Sequence, residues 1–436
     1  MKRIRIVALV LCACFVSAAW AQELAARPPL GRHAQDRMGI LLSNARPSAQ
    51  RSHLPSAIVF NKSKTWDLGV YPGGTTAALQ SVNDFGVAMG WGDVPTEGGT
   101  ETRMIGIPLF GFNAGQWFQS GVAVGEDWTA DGGGISNTEL IVGNIMSSNG
   151  WPEAYAWTPN HIGFHLGKYL DNDGSAAISI NRAGTLIVGN SGKLLPDGTM
   201  RVTPLVWTAK LVWTNGRPTL SWEMHALPTG GMEKPGAVFD GVTLNFWGGW
   251  GVNDLGQIAG DGWTVDEDGN YWEIAVVWTP MKGGKGWKIQ RLPMAAGFVY
   301  NEALGINNAG EIVGDVWESN AFPALWKMDP KKDTWSVNVL PTTPSLDYGW
   351  SVAWSINERG DIVGVCSDEN WIPQAARWNS REEGFVMSLG FPGDLSAAFG
   401  VNNFGIAVGE YRNIVSYDDD GNPVFGPRQA VAVRFP

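Results

Sequence analysis

Cysteine is almost missing from this 436-residue chain. Of its three cysteines, Cys12 and Cys14 lie at the extreme N-terminus, so Cys366 stands alone in the remainder and an internal disulfide there is excluded. Histidine is scarce too, with five copies. There is no G-x-S-x-G elbow, no H-E-x-x-H pair and no glycine loop shaped for phosphate. His161 and His165 are the closest histidine pair. Four residues along a strand would separate them by roughly 13 Å, too far to share one metal ion. Helical periodicity is nearly absent, and beyond the first residues no run approaches the roughly 20 apolar residues that span a bilayer. Positive charge is also short: past residue 56, 23 basic residues face 40 acidic ones. Such a field argues against nucleic acid and against polyanions held by charge alone.

What the chain does have is repetition. A small residue, an Ile or Val, an Asn, two variable residues and a Gly, followed by a β-branched run, return seven times. The Asn positions are 83, 136 (here Ser136), 181, 253, 307, 357 and 402, at spacings of 53, 45, 72, 54, 50 and 45 residues. Periods near fifty describe one supersecondary unit repeated. Each unit reads as four strands. The first two flank the N-x-x-G turn, where Asn bonds local backbone and Gly supplies a positive φ. The third ends in an aromatic, at Phe110, Trp157, Trp207, Trp278, Trp326, Trp378 and Phe435. The fourth follows Trp222…Leu227-Pro228, Trp287…Leu292-Pro293 and Trp335…Leu340-Pro341, and its terminal Pro suits an outer edge.

Seven such units predict an all-β, seven-bladed β-propeller of four antiparallel strands per blade over residues 57–436. The small residue two before each Asn fits a crowded strand nearest the axis. The last copy lacks a fourth strand, and Trp66-Asp67-Leu68 near the start is an unclaimed one, so an N-terminal strand should close the ring. Ala57 to Phe60 is left without a place. The second copy, with Ser136 for Asn and Glu139 for Gly, departs most from the pattern, and the third carries an extra residue within Thr185 to Gly189.

The core Gly305-Ile306-Asn307-Asn308-Ala309-Gly310-Glu311-Ile312-Val313-Gly314 and the strand Ala375-Ala376-Arg377-Trp378 resemble the bacterial extracellular HAF repeat. That resemblance, over roughly residues 57–436, implies a secreted, propeller-like protein and brings no agreed catalytic residues. The S-x-D-x-G-x-x-W boxes of sialidase-like propellers are absent from the sequence.

Residues 1–21 read as a signal peptide: Lys2, Arg3 and Arg5 precede the apolar run Ile6 to Ala19, and Ala19-Trp20-Ala21 is a small-x-small cleavage site. Cys14 leaves lipoprotein anchoring as a minor alternative to a secreted or periplasmic product. Residues 22–56, with five arginines and four prolines, read as a basic flexible arm or linker. Cys366, just past Ile362-Val363-Gly364, reads as a buried structural thiol.

Function is less legible. Of the 23 tryptophans, most fill repeat slots, but Trp91, Trp247, Trp250, Trp263, Trp317 and Trp350 lie just after second strands or at first strands. Loops leaving second strands and entering first strands share one face, which Trp128, Trp151 and Trp371 also join. Those rings either stack on a ligand or seal the ring. The longest irregular segments, Trp91 to Ile107, Pro228 to Gly249 and Arg412 to Pro427, exit on the same face.

The favoured reading is a monomeric binding propeller for a glycan or protein, with those six tryptophans as ligand contacts. The alternative is a polysaccharide-cleaving enzyme, lyase or glycoside hydrolase, for which His225, Tyr271, Tyr300 and Arg291 are candidate catalytic residues, since the fold hosts both kinds of function. A structural cell-surface module is a third reading. No cofactor is expected. The acidic turns Asp171 to Gly174, Asp266 to Gly269 and Asp418 to Gly421 offer oxygens to calcium, yet none has full EF-hand spacing, and D-G there also signals a hairpin.

Overall fold

The computed structural model describes residues 64–123, 133–147, 150–159, 162–196, 200–214, 217–229, 246–265, 271–318, 320–342, 350–367, 372–418 and 422–435. The proposed signal peptide, the arm, the segment 57–60, Trp128, Trp371 and the Asp266 to Gly269 turn lie outside these residues. So do most of the insertion between Pro228 and Gly249, part of the Asp418 to Gly421 turn and the side chain of Tyr271.

Every described strand is antiparallel to its sheet neighbours, and seven four-stranded sheets form seven blades. Blade 1 holds Ala77–Val82, Val87–Thr96, Gly99–Pro108 and Phe118–Ala123. Blade 2 holds Gly134–Ile135, Ile141–Met146, Pro152–Trp157 and Gly163–His165, and blade 3 holds Gly174–Ile180, Leu186–Leu194, Met200–Thr214 and Arg217–Ala226. Blade 4 holds Phe246–Val252, Ile258–Val265, Tyr271–Pro280 and Trp287–Arg291. Blade 5 holds Tyr300–Ile306, Ile312–Trp317, Ala321–Asp329 and Thr334–Val339, and blade 6 holds Ser351–Ile356, Asp361–Ser367, Pro373–Asn379 and Glu382–Ser388. Blade 7 is composite. Its strands Leu395–Val401, Ile406–Arg412 and Gln429–Arg434 are completed by Lys64–Gly69, with Trp66 opposite Ala432. A small hairpin, Ile414–Tyr417 and Pro423–Phe425, projects between its second and third strands. Among the described residues no helix is long and apolar enough to cross a membrane.

The turn asparagines explain why the motif repeats. Oδ1 of Asn307 accepts from the Glu311 amide and closes its own turn, while Nδ2 donates to the Asn357 carbonyl in the next blade. Nδ2 of Asn83, Asn253, Asn357 and Asn402 likewise reaches the carbonyl of Ser136, Asn307, Asn402 and Asn83 in turn. A carboxylate lacks the donor and a hydroxyl lacks the reach, so the amide alone does both jobs. The two copies that depart from the motif break the chain of bonds: Ser136 closes its turn only through Oγ, and Asn181 Nδ2 turns back to Thr185. The turn glycines sit at positive φ, for example Gly310 at 76°. Glu139 takes the same conformation at φ 60°, so the irregular second turn keeps the shape of the others at the expense of some backbone strain.

The small residue two before each Asn marks where adjacent first strands nearly touch. A Cβ on Gly251 would come within 2.7 Å of the Leu304 carbonyl oxygen. Farther out, the third-strand tryptophans Trp157, Trp207, Trp278, Trp326 and Trp378 are fully buried. The indoles of Trp278, Trp326 and Trp378 donate to the Pro228, Pro293 and Pro341 carbonyls, each at the end of the preceding blade's fourth strand. The Leu-Pro sequence is therefore a latch between blades as well as an edge signal. In blades 1 and 7 the same slot is filled by Ile107 and Val433, paired with Ala88 and Ala407. Phe110, expected there, lies beyond its strand and is exposed, because the turn after Pro108 carries it out of register. Cys366 is buried in blade 6, in contact with Ser351 Oγ.

Candidate ligand-binding site

The end of the axis that carries the N-x-x-G turns is closed. One residue after each turn Asn stand Asp84, Asn137, Arg182, Asp254, Asn308, Glu358 and Asn403. They form a belt in which Asp84 accepts from Asn137 Nδ2 and from the Asn403 amide, and Asn308 Nδ2 donates to Asp254. Arg182, from blade 3, reaches Asp84 of blade 1 at 2.8 Å and Glu358 of blade 6 at 3.6 Å, so its guanidinium lies across the axis as a plug. Burial raises the Asp84 pKa, but the Asn137 hydrogen bond, the Arg182 charge and the Asn403 amide outweigh it and hold the carboxyl below its ordinary value. Burial pushes Glu358 up despite its partners.

Farther along the axis the lining changes from polar to apolar. In six described blades the first strand slips register three residues before the turn Asn, leaving one residue unpaired: Gln80, Ile178, Trp250, Leu304, Trp354 and Phe399. Such a bulge re-aims one side chain. All but Ile178 remain partly exposed on the innermost strands, where only the axis offers room. Trp354 stands 4.8 Å from Phe399 and 6.1 Å from Trp350, ring centre to ring centre.

The structure separates the six tryptophans singled out by sequence. Trp263, Trp317 and Trp350 join one hydrophobic cluster, and partly buried Trp250 packs on it. Trp247 belongs to a separate cluster with Val188 and Leu227, and Trp91 packs on Ala78 beneath the Arg428 guanidinium. Trp91, Trp247, Trp263, Trp317 and Trp350 are only 3–5% exposed, so in this state they build the wall and present no open face. Trp263 stacks on Phe246 and Trp317 lies against Tyr300, at 4.1 and 4.2 Å between ring centres. Sequence reasoning missed Trp354 and Phe399. The signal available for them was a bulky residue three before the turn Asn.

Of the candidate catalytic residues, His225, Arg291 and Tyr300 do not form one group. His225 and Arg291 are on the outermost strands of blades 3 and 4, with His225 bonded to Thr208 and tilted against Trp287. Tyr300 begins the innermost strand of blade 5, where burial first, then Glu273 and Glu318, raise its hydroxyl pKa. Tyr271 begins the third strand of blade 4. His165 pairs with Glu153 on the rim of blade 2. At the acidic turn Asp171 to Gly174, the Asp171 carboxylate holds Lys193 at 3.0 Å, and the hydrogen bond from Lys193, followed by its charge, lowers the carboxyl pKa.

A second cluster was not visible in the sequence. Asp261 and Glu273 of blade 4 meet Glu302 and Asp315 of blade 5, all at most 2% exposed. One carboxylate oxygen each from Asp261, Glu273 and Glu302 lies within 4.8 Å of the other two. Burial, and next the neighbouring Glu273 charge, push the Asp261 carboxyl well above its ordinary range. The Trp317 indole donates to Glu273 at 2.9 Å and ties this cluster to the wall around the axis.

Fold and site together define a seven-bladed β-propeller closed by an N-terminal strand, plugged by polar groups at one end of its axis and lined by aromatics beyond them. No family model matches the sequence, and no curated protein is similar to it in sequence. Among solved structures it is similar to a Trypanosoma rangeli sialidase in complex with the inhibitor DANA, with a TM-score of 0.40 and 11% identity over 86% of this chain and 59% of that one. It is also similar to a puromycin hydrolase, with a TM-score of 0.42 and 14% identity over 82% of this chain and 54% of that one. The chain thus spans a little over half the length of these structures.

Proposed function

We propose that this protein is an exported binding propeller that takes a neutral glycan at the axis, on the side away from the Arg182 plug. The observation that carries this reading is the set of partly exposed bulge side chains, Trp250, Trp354 and Phe399 above all, on innermost strands beside the buried rings of Trp263, Trp317 and Trp350. Flat apolar rings stack on sugar faces without needing charge, which suits a chain whose acidic excess would repel anionic polymers. The face is also the one on which second-to-third and fourth-to-first strand connections emerge, the usual place for recognition on a rigid scaffold. The enzyme reading has less support, because His225, Arg291 and Tyr300 are distributed between the rim and the axis instead of converging. The 4.8 Å carboxylate group resembles the separation used for glycoside cleavage with retention, but its members are buried behind Trp317.

A glycan array followed by calorimetric titration tests the proposal, with a polysaccharide-degradation screen run in parallel. Saturable binding of a neutral glycan without chain cleavage is the expected result. Release of shortened or unsaturated sugars would move the protein to the enzyme class, and binding to an apolar peptide alone would replace the glycan as ligand.

A further inference from the structure

The interior of this propeller treats its buried acids in two ways. Glu410 of blade 7 is fully buried but flanked by Arg412 at 3.3 Å and Arg428 at 3.1 Å. Asp361 of blade 6 is similarly held by Arg359 and Arg377. Asp261 of blade 4 differs. Asp261 is 0% exposed, and neither of its oxygens meets a hydrogen-bond donor in good geometry among the described residues. The nearby Trp250 indole favours the charged form without completing such a bond. A carboxylate in that position is costly unless a positive charge neutralises it.

The placement within the repeat sharpens the contrast. Glu302 lies five residues before its turn Asn, where five of the other six repeats carry Ala78, Ala176, Gly248, Val352 and Ala397 and the irregular second one carries Asp131. The slot therefore packs well with a small apolar residue, and Glu302 is not there to satisfy the fold. Its backbone partner is Asp315, and the Asp261 carboxyl comes toward it from the adjacent blade. Oxygens that share one calcium ion at about 2.3–2.6 Å can be no more than roughly 5 Å apart, and the three carboxylates already meet that condition. An all-oxygen, all-carboxylate group suits a hard cation, and a site with little room for water suits calcium better than magnesium, which keeps its hydration shell.

We propose that Asp261, Glu273 and Glu302 hold a divalent, oxygen-seeking cation of the calcium class between blades 4 and 5. The ion would fasten blades 4 and 5 to each other across their seam. Through the Glu273 to Trp317 hydrogen bond it would also set the position of the wall beside the axis. This inference stands independently of the glycan reading.

The test is made on the purified full-length protein. Elemental analysis should find one calcium per chain, and removal with a chelator should lower the melting temperature, with calcium restoring it and magnesium doing so weakly. Glu302→Gln, and Glu302→Ala, which installs the residue that blades 1, 3 and 7 carry, should both fold and lose calcium binding by titration and the calcium-dependent rise in melting temperature. Asp171→Asn, at the surface acidic turn, should retain both. Absence of stoichiometric metal together with a melting temperature indifferent to calcium and chelator would overturn the proposal in favour of carboxyls that share protons. Calcium binding that survives in Glu302→Ala but disappears in Asp171→Asn would overturn it in favour of a surface site.

Discussion

The two ends of the axis are built by opposite rules. At the turn end, the same Asn in five of seven blades closes its own turn and bonds the next blade, and Arg182 fills the centre. On the other side, bulges in six blades set side chains of five kinds: Gln80, Ile178, Trp250, Leu304, Trp354 and Phe399. A surface made of one residue type repeated by symmetry serves the ring, whereas one that varies blade by blade has room to specify a ligand. The comparison can be broken or sharpened by variants directed at each end and at the closure that both depend on.

Deleting Lys64–Gly69 should have the largest effect. It removes the outer strand of blade 7, its pairing with Gln429–Arg434 and the Asp67 acceptor of the Tyr411 hydroxyl. The expected outcome is loss of cooperative unfolding by calorimetry, and an unchanged transition would sink the closure argument. Asn402→Ala comes next. It strands the Asn83 carbonyl and the Phe404 and Ile406 amides, costing roughly 2–4 kcal/mol in denaturant unfolding. Asn181→Ala, whose Nδ2 turns back to Thr185 within its own blade, should cost less. On the ligand side, Trp354→Ala should weaken glycan binding by about 1–3 kcal/mol while leaving the melting temperature nearly fixed. Equal losses of binding and stability would make Trp354 a packing residue.

Arg182→Met is expected to leave binding untouched and to lower stability by about 1 kcal/mol or less, since its ion pairs are partly exposed and screened. Its pH signature is more diagnostic. Asp84 has a folded pKa below its unfolded value, so its contribution is present above about pH 3.9 and is lost as pH falls through the lower folded value. Removing Arg182 should flatten that acid limb. Glu358, whose pKa is raised, opposes the effect as pH climbs past its unfolded value. The smallest change is Glu139→Gly, which should stabilise by up to about 1 kcal/mol by relieving a side chain held at positive φ. A loss of stability would show that the Glu139 side chain has a role that its strain conceals.

Much of the scaffold was legible because repetition multiplies weak signals. One N-x-x-G says little, but seven at a period near fifty, each followed by a β-branched run, state the blade count. A surplus strand at Trp66 and a missing one near Pro436 state the closure. The latch was half legible: Leu-Pro was read as an edge, and the indole that bonds its carbonyl comes from another blade, a neighbour that sequence does not name. The aromatic rings misled for the same reason. Trp263 and Trp317 do follow second strands, but whether such a ring faces solvent or a neighbouring blade is decided by partners such as Phe246 and Tyr300. Asp261 and Glu302 are 41 residues apart and unremarkable singly. Only the seam between two blades makes them a group.

The composite blade also imposes an order of events on the chain. Trp66 is synthesised long before its partner Ala432, and Tyr411 and the Asp67 it binds are separated by 344 positions. Blades 1 to 6 pair sequential neighbours and can assemble as they emerge. The seventh must wait, with one strand held in reserve, so both flanks of the growing stack stay exposed until Gln429–Arg434 arrives to pair with it. A ring fastened this way reports its own completeness: a chain cut short before Gln429 has every other blade and no means to shut.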